Sequence, residues 1–195
     1  MKQKEALNHS LKSILDQITF IDEIAWNDFI QHQIEKSLKR GEIIWNEGQV
    51  CRHLVFLKKG LIRSFSLNNG KEVTFNFYDT SSLFYDDYSF ISQKSSKKTY
   101  QVLENSEVIL IPREHLFKMF DKYKCFERIG RVSVENAHIR MIEERERLSQ
   151  NNAEENYKQL LANKPYLIQI LPQKVIASYL NISTEHLSRI RSKLS

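Results

Sequence analysis

Gln173 to Leu194 read QKVIASYLNISTEHLSRIRSKL, and the order of small, apolar and polar residues predicts two short helices joined by a tight turn. Ala177 places a small side chain where the two helices must cross closely. Ile176, Leu180 and Ile182 supply an apolar seam. Leu187, Ile190 and Leu194 continue it on the second helix at i, i+3, i+7 spacing. Asn181 falls at the turn, where a left-handed backbone is often needed, and Asn tolerates that conformation better than most residues. Ser183 is a natural N-cap for the second helix. Each feature alone is weak; in register they predict a helix-turn-helix, the unit that lays its second helix in the major groove of DNA.

With Leu187, Ile190 and Leu194 turned inward, Glu185, Ser188, Arg189 and Ser192 point outward, and Thr184 lies at the exposed first turn. The N-terminal part of such a helix meets base edges. Arg189 can grip guanine O6 and N7 with both arms of its guanidinium, and Glu185 can accept from cytosine N4. Thr184, Glu185, Ser188 and Arg189 are therefore the candidate base contacts. Lys174, Ser183, Arg191 and Lys193 are the candidate phosphate contacts. From Lys164 onward there are five cations (Lys164, Lys174, Arg189, Arg191, Lys193) against one acid, Glu185. The competing reading is an ordinary amphipathic helix pair with a solvated outer face.

The bulk of the chain fits a polyanion partner without demanding one. It has 195 residues, a formal net charge of +5 and 41% hydrophobic residues, enough for one large or two modest domains. Cys51 and Cys125 stand far apart, so neither a disulfide framework nor a zinc or iron–sulfur ligand set is expected. Two free thiols suit a reducing cytoplasm, the expected location. The N-terminus is polar and amphipathic, and no run of about 18 apolar residues predicts a membrane span.

Working outward from the reading helices, the texture changes three times. Residues 3–39 have helical spacing at Leu7, Leu11, Ile14, Leu15 and Ile18, then Ile24, Phe29 and Ile34. From about 41 to 112 it is β. Leu61, Arg63, Phe65 and Leu67 alternate with Ile62, Ser64 and Ser66; Asn69-Gly70 signals a hairpin; Val73, Phe75 and Phe77 alternate with Thr74, Asn76 and Tyr78. Residues 100–103 and 107–111 are also β-rich. Short strands with Gly-bearing turns suggest an antiparallel roll. From about 115 to 149 a long charged helix is expected, with Ile129, Val132, Ile139 and Ile142 as a narrow apolar stripe. Asn136 and Glu143 interrupt it. Such a stripe serves either a dimer seam or packing on the helix's own domain. A β domain, a long helix and a reading head in that order suit a two-fold dimer on paired half-sites.

Several stretches resemble the CRP/FNR family of bacterial transcription regulators, and the resemblance covers nearly the whole chain. Arg40-Gly41-Glu42, Glu47-Gly48 and the FLKKGLIR run from Phe56 to Arg63 resemble the family's cyclic-nucleotide-binding roll. SEVILIPREHL, 106–116, resembles the final strand leading to the long helix. NISTEHLSRIRSKL, 181–194, resembles the recognition helix and its turn. YKQLLANKPYLIQILPQKVIASYL, before and through the first helix of the pair, resembles the form common in short members from Bacteroidetes-like bacteria. The resemblance implies an α+β fold. Residues 1–114 would form the roll, 115–149 the dimerisation helix and 150–195 the DNA-binding domain. It also implies a homodimer on a pseudo-palindrome in double-stranded DNA, with RNA polymerase a candidate partner. Thr184, Glu185 and Arg189 occupy the family's base- and phosphate-contacting positions.

The departures concern the ligand. Members that bind cyclic AMP carry a Gly-Glu pair for the ribose and an Arg for the cyclic phosphate. The matching stretch here, SSLFYDDYSFISQKSSKKTYQVLENSEV, has neither. Asp86 or Asp87 would have to replace the Glu, and Lys97 or Lys98 the Arg, whose forked contact Lys reproduces poorly. Cyclic AMP binding of the usual kind is therefore not expected, and no cofactor is assigned. Phe75, Phe84, Tyr85 and Tyr100, with Asp86, Asp87, Lys97 and Lys98, outline a candidate pocket. It is either a filled aromatic core or the seat of an apolar effector. His32, His53 and His115 read as ordinary histidines rather than haem ligands, and no metal site is expected. No catalytic spacing is present, so the chain is not expected to be an enzyme. Only a few residues follow the recognition helix, so wing contacts to DNA are not expected. A ligand-binding module with lost DNA reading is the alternative function.

Overall fold

The computed structural model describes residues 10–194, and of 148–150 the backbone alone. The expected α+β architecture is present. Helix α1 covers residues 10–16 and α2 Glu23–Ile30. Strands β1 (Ile34–Leu38), β2 (Ile43–Trp45), β3 (His53–Asn68), β4 (Lys71–Tyr78) and β5 (Ser82–Phe84) come next. Then come α3 (Asp87–Ser92), β6 (Thr99–Pro112), α4 (Arg113–Lys122) and α5 (Lys124–Gln150). The last four helices are α6 (Ala153–Asn163), α7 (Pro165–Ile170), α8 (Gln173–Tyr179) and α9 (Thr184–Leu194). Two compact units divide the described chain. One runs up to Ser64 and from Phe77 to Ala137. The other comprises Phe65–Asn76 and everything from His138.

The first unit is the roll. Its strands run in the order β1-β6-β3-β4, with β2 also on β6 and β5 also on β3. The two long strands carry the topology: β6 pairs antiparallel with β1 from Ile34↔Leu110 to Leu38↔Ser106, then with β2 near Tyr100. β3 pairs antiparallel with β5 at Val55↔Phe84. Gly60, in the middle of β3, has φ +112, and a Cβ there would stand 2.8 Å from the Ser106 Cα. Only glycine permits that close approach. Asn69 and Gly70 both have positive φ, +50 and +77, the type I′ turn that closes the β3–β4 hairpin.

Apolar residues of α1, α2, the strands, α4 and the start of α5 share one core. Leu11, Ile21, Phe29, Phe56, Ile62, Ile109 and Phe126 are among its fully buried members. Cys51 is buried there too, and burial pushes its thiol up to about 11, so it is inert at neutral pH. Cys125 is half-buried and free.

Three expectations need correction. The helical reading through residue 39 stops at Ile30, and Ile34 opens β1 as a half-exposed residue. Glu35 and Lys36 hid this short strand, whose register comes from β6 rather than from its own pattern. Ile24 is largely exposed instead of facing a core, and Leu7 lies outside the described residues. The single helix expected from 115 to 149 is two, broken at Tyr123, which is extended (φ −128, ψ 120). The Tyr123 hydroxyl donates to the Asp28 carboxylate at 2.9 Å beside the Lys122 ammonium at 2.6 Å. A tertiary bond to α2 thus holds the break, without Pro or Gly.

Candidate nucleic-acid interface and the interior of the roll

Helices α6 to α9 of the second unit carry the candidate interface. Asn152 caps α6 in a reciprocal box with Glu155. Tyr157, Leu160, Leu167, Val175, Ile176, Ala177, Leu187 and Ile190 are buried. α8 gives way to a turn in which Asn181 has φ +55, and the Ile182 N–H donates back to the Ala177 carbonyl at 3.0 Å. The left-handed turn and the small crossing residue read from sequence are both present. Ser183 caps α9: its hydroxyl accepts from the His186 N–H at 3.1 Å and its carbonyl from the Leu187 N–H at 3.0 Å. The inward stripe ends one turn earlier than expected, since Leu194, at the helix end, is 39% exposed.

Glu185, Ser188 and Arg189 lie exposed on the outer face of α9. Thr184 is half-buried, and its hydroxyl donates to the Glu185 carboxylate at 3.1 Å. Its carbonyl accepts from the Gln173 amide at 3.1 Å, tying the starts of the two helices together. Glu185 is held below the usual carboxylate range by its own backbone N–H first, then by the Ser183 and Thr184 hydroxyls and by nearby Arg189. It is therefore an ionised acceptor at neutral pH, aimed by its neighbours. Sequence reading gave Thr184 a contact of its own; here its hydroxyl is engaged in orienting Glu185.

Among the candidate phosphate contacts, Lys174 and Lys193 are exposed, and the Lys193 ammonium stands 3.8 Å from Glu154. The Ser183 hydroxyl is engaged as the cap. Arg191 departs from expectation. It is half-buried, with its guanidinium 5.8 Å from the centre of the Tyr157 ring on α6. Position 191 lies next to Leu187 and Ile190 on the helix circumference, so it turns toward the domain.

In the roll, the residues around the candidate pocket fill space. Tyr100 packs at a tilt on Trp45 at 4.3 Å and lies parallel to Phe84 at 6.0 Å, and Tyr78 stacks on Phe84 at 4.1 Å. Tyr85 packs on Phe90 at 4.6 Å. Burial pushes the Tyr100 hydroxyl well above its ordinary range. Asp86 is 2% exposed and caps α3: one oxygen accepts from the Ser89 N–H at 2.7 Å. The other accepts from the Ser96 hydroxyl at 3.0 Å and faces the Tyr100 hydroxyl at 3.4 Å. The start of this six-residue helix thus already holds a carboxylate of its own. Asp87 is exposed beside it. Lys97 extends its ammonium over the Tyr88 ring at 5.1 Å, and the half-buried Lys98 meets Ser96 through its backbone. Phe75 is 46% exposed on β4, among residues of the other unit. The structure therefore gathers Phe84, Asp86 and Tyr100.

Two residues near these sites have partners that the sequence does not indicate. Arg63, buried on β3, donates twice to the Gln101 side-chain oxygen, at 3.0 and 2.8 Å. Its place in an alternating strand gave no hint that the guanidinium is buried against Gln101. Ser178 is the other, and its partners lie about a hundred residues away. Among the described residues, no group of three or more His, Cys, Asp or Glu could hold a metal ion. Among the same residues, no helix is long and apolar enough to cross a membrane.

Residues 35–123, the roll and the start of the helices after it, match the family model of the cyclic nucleotide-binding domain. No curated protein is detectably similar in sequence. Solved structures extend the likeness over most of the chain. A putative CRP/FNR-family transcriptional regulator from Eubacterium rectale superposes with a TM-score of 0.72 at 15% identity, over 89% of this chain and 83% of that one. FixK2 from Bradyrhizobium japonicum gives 0.68 at 19% identity, over 83% and 84%. The catabolite activator protein of Thermus thermophilus gives 0.57 at 16%, over 91% and 85%. At these identities the likeness is one of fold.

Proposed function

We propose that this protein is a DNA-binding transcriptional regulator that works as a homodimer on a pseudo-palindromic site. The observation that carries the reading is the outer face of α9. It presents an oriented, ionised Glu185 one turn from an exposed Arg189, on a helix capped and seated as a recognition helix must be. The exposed cations Lys174 and Lys193 supply phosphate attraction. The solved structures of similar fold include regulators of this kind. Dimerisation would occur through α5, where Val134, Ile139, Met141 and Ile142 are each 45% exposed or more.

The roll is not expected to take cyclic AMP in the family's usual manner. A cyclic phosphate near α3 would meet the buried Asp86 carboxylate, and the stretch from Ser81 to Val108 contains no Arg. Arg63 is committed to Gln101. The stacked rings support a scaffold role. Selection of bound fragments from random DNA, with and without cyclic AMP, tests both statements. Recovery of an inverted repeat in both conditions is the expected result. Recovery only with the nucleotide would contradict the reading of the roll, and none in either would favour a module that no longer reads DNA.

A further inference from the structure

The strand path ends at β4, so β4 has an outer edge whose backbone groups need partners beyond the sheet. At that edge the Ser178 hydroxyl, on the last turn of α8, donates to the Glu72 carbonyl at 2.8 Å. It also accepts from the Thr74 N–H at 2.9 Å, and the Thr74 hydroxyl stands 3.1 Å away. Glu72 and Thr74 are two apart, so their groups point to the same side of the strand. One hydroxyl therefore does what a neighbouring strand would do, and with one hydrogen and two lone pairs it is saturated by these three contacts. Thr74 is 3% exposed, so water is largely kept from the contact. The hairpin tip, Phe65–Asn76, accordingly belongs to the same compact unit as the reading helices.

We propose that Ser178 is a latch that makes the β3–β4 hairpin a working part of the reading head. The inference rests on the proposed DNA-reading role. Both strands of the hairpin continue past the tip into residues of the roll. The latch therefore gives the head a second tether besides α5, fastened three residues before the Asn181 turn. A head tethered twice has less freedom to lose when it docks, so the latch strengthens DNA binding from a place with no assigned DNA contact.

Ser178→Ala removes the hydroxyl and installs the best helix former, so a folding failure is not expected. Ser178→Thr restores the hydroxyl. In the full chain, amide hydrogen exchange at Thr74 should be faster in the Ala variant and near wild type in the Thr variant. The Ala variant should bind selected DNA about 3- to 10-fold more weakly, the range of one lost net hydrogen bond. Unchanged exchange at Thr74 would overturn the latch itself. Faster exchange with unchanged DNA affinity would overturn its role in the reading head. If wild-type protein selects no DNA at all, the DNA-reading role fails and takes the affinity effect with it, while exchange at Thr74 still decides whether the latch exists.

Discussion

Arg189 and Arg191 stand two positions apart on α9 and have different surroundings. Arg189 is exposed on the outer face, whereas Arg191 lies over the Tyr157 ring. The stability of the head should therefore fall by about 1 kcal/mol in Arg191→Ala, as expected for a partly desolvated cation over a ring. The salt dependence of DNA binding should stay as in wild type. Lys193→Ala should do the reverse: unchanged thermal stability, and a DNA-binding salt slope lower by about one. Thermal melts and binding isotherms at several salt concentrations check both. The outward direction of Glu185, Ser188 and Arg189 was legible from sequence because 3.6-residue periodicity fixes it once the inward residues are known. The partners of Arg191 and Thr184 were not, because each depends on which neighbour happens to lie within reach.

At the scale of elements, local chemistry decided what could be read. The β3–β4 turn was legible because Asn-Gly is the pair that tolerates two successive positive φ values. The Asn181 turn and the Ser183 cap were legible for the same kind of reason. β1 was not, since a five-residue charged strand takes its structure from β6. The break at Tyr123 was not either, since its cause is Asp28, 95 positions earlier. Ser178 is the extreme case, a serine in a helix whose partners sit on a strand edge 104 and 106 positions away. On α5, Ile139 and Ile142 are exposed, and in the proposed dimer a second copy of the helix would cover them. Ile139→Asp combined with Ile142→Asp should shift the protein from dimer to monomer in sedimentation, with α5 still helical. An unaltered dimer would place the seam elsewhere.

For the whole molecule, the division into two units differs from the expected three segments. α5 passes from one unit to the other between Ala137 and His138, and the hairpin tip joins the unit of the reading helices. The fold class was legible because β alternation and helical spacing occupy separate stretches of the chain. The interior of the roll was legible only as an aromatic region. That Phe84 stacks on Tyr78 and Tyr100, and that Asp86 caps α3, depends on packing rather than on spacing. The central claim is that α9 reads base edges through Arg189. The most direct measurement compares wild type and Arg189→Ala on the selected inverted repeat and on versions with each base pair changed in turn. A loss of about 1–3 kcal/mol on the selected site is expected, with discrimination relaxed at one base pair per half-site. An equal loss on every sequence would show that Arg189 holds a phosphate, and would contradict the account.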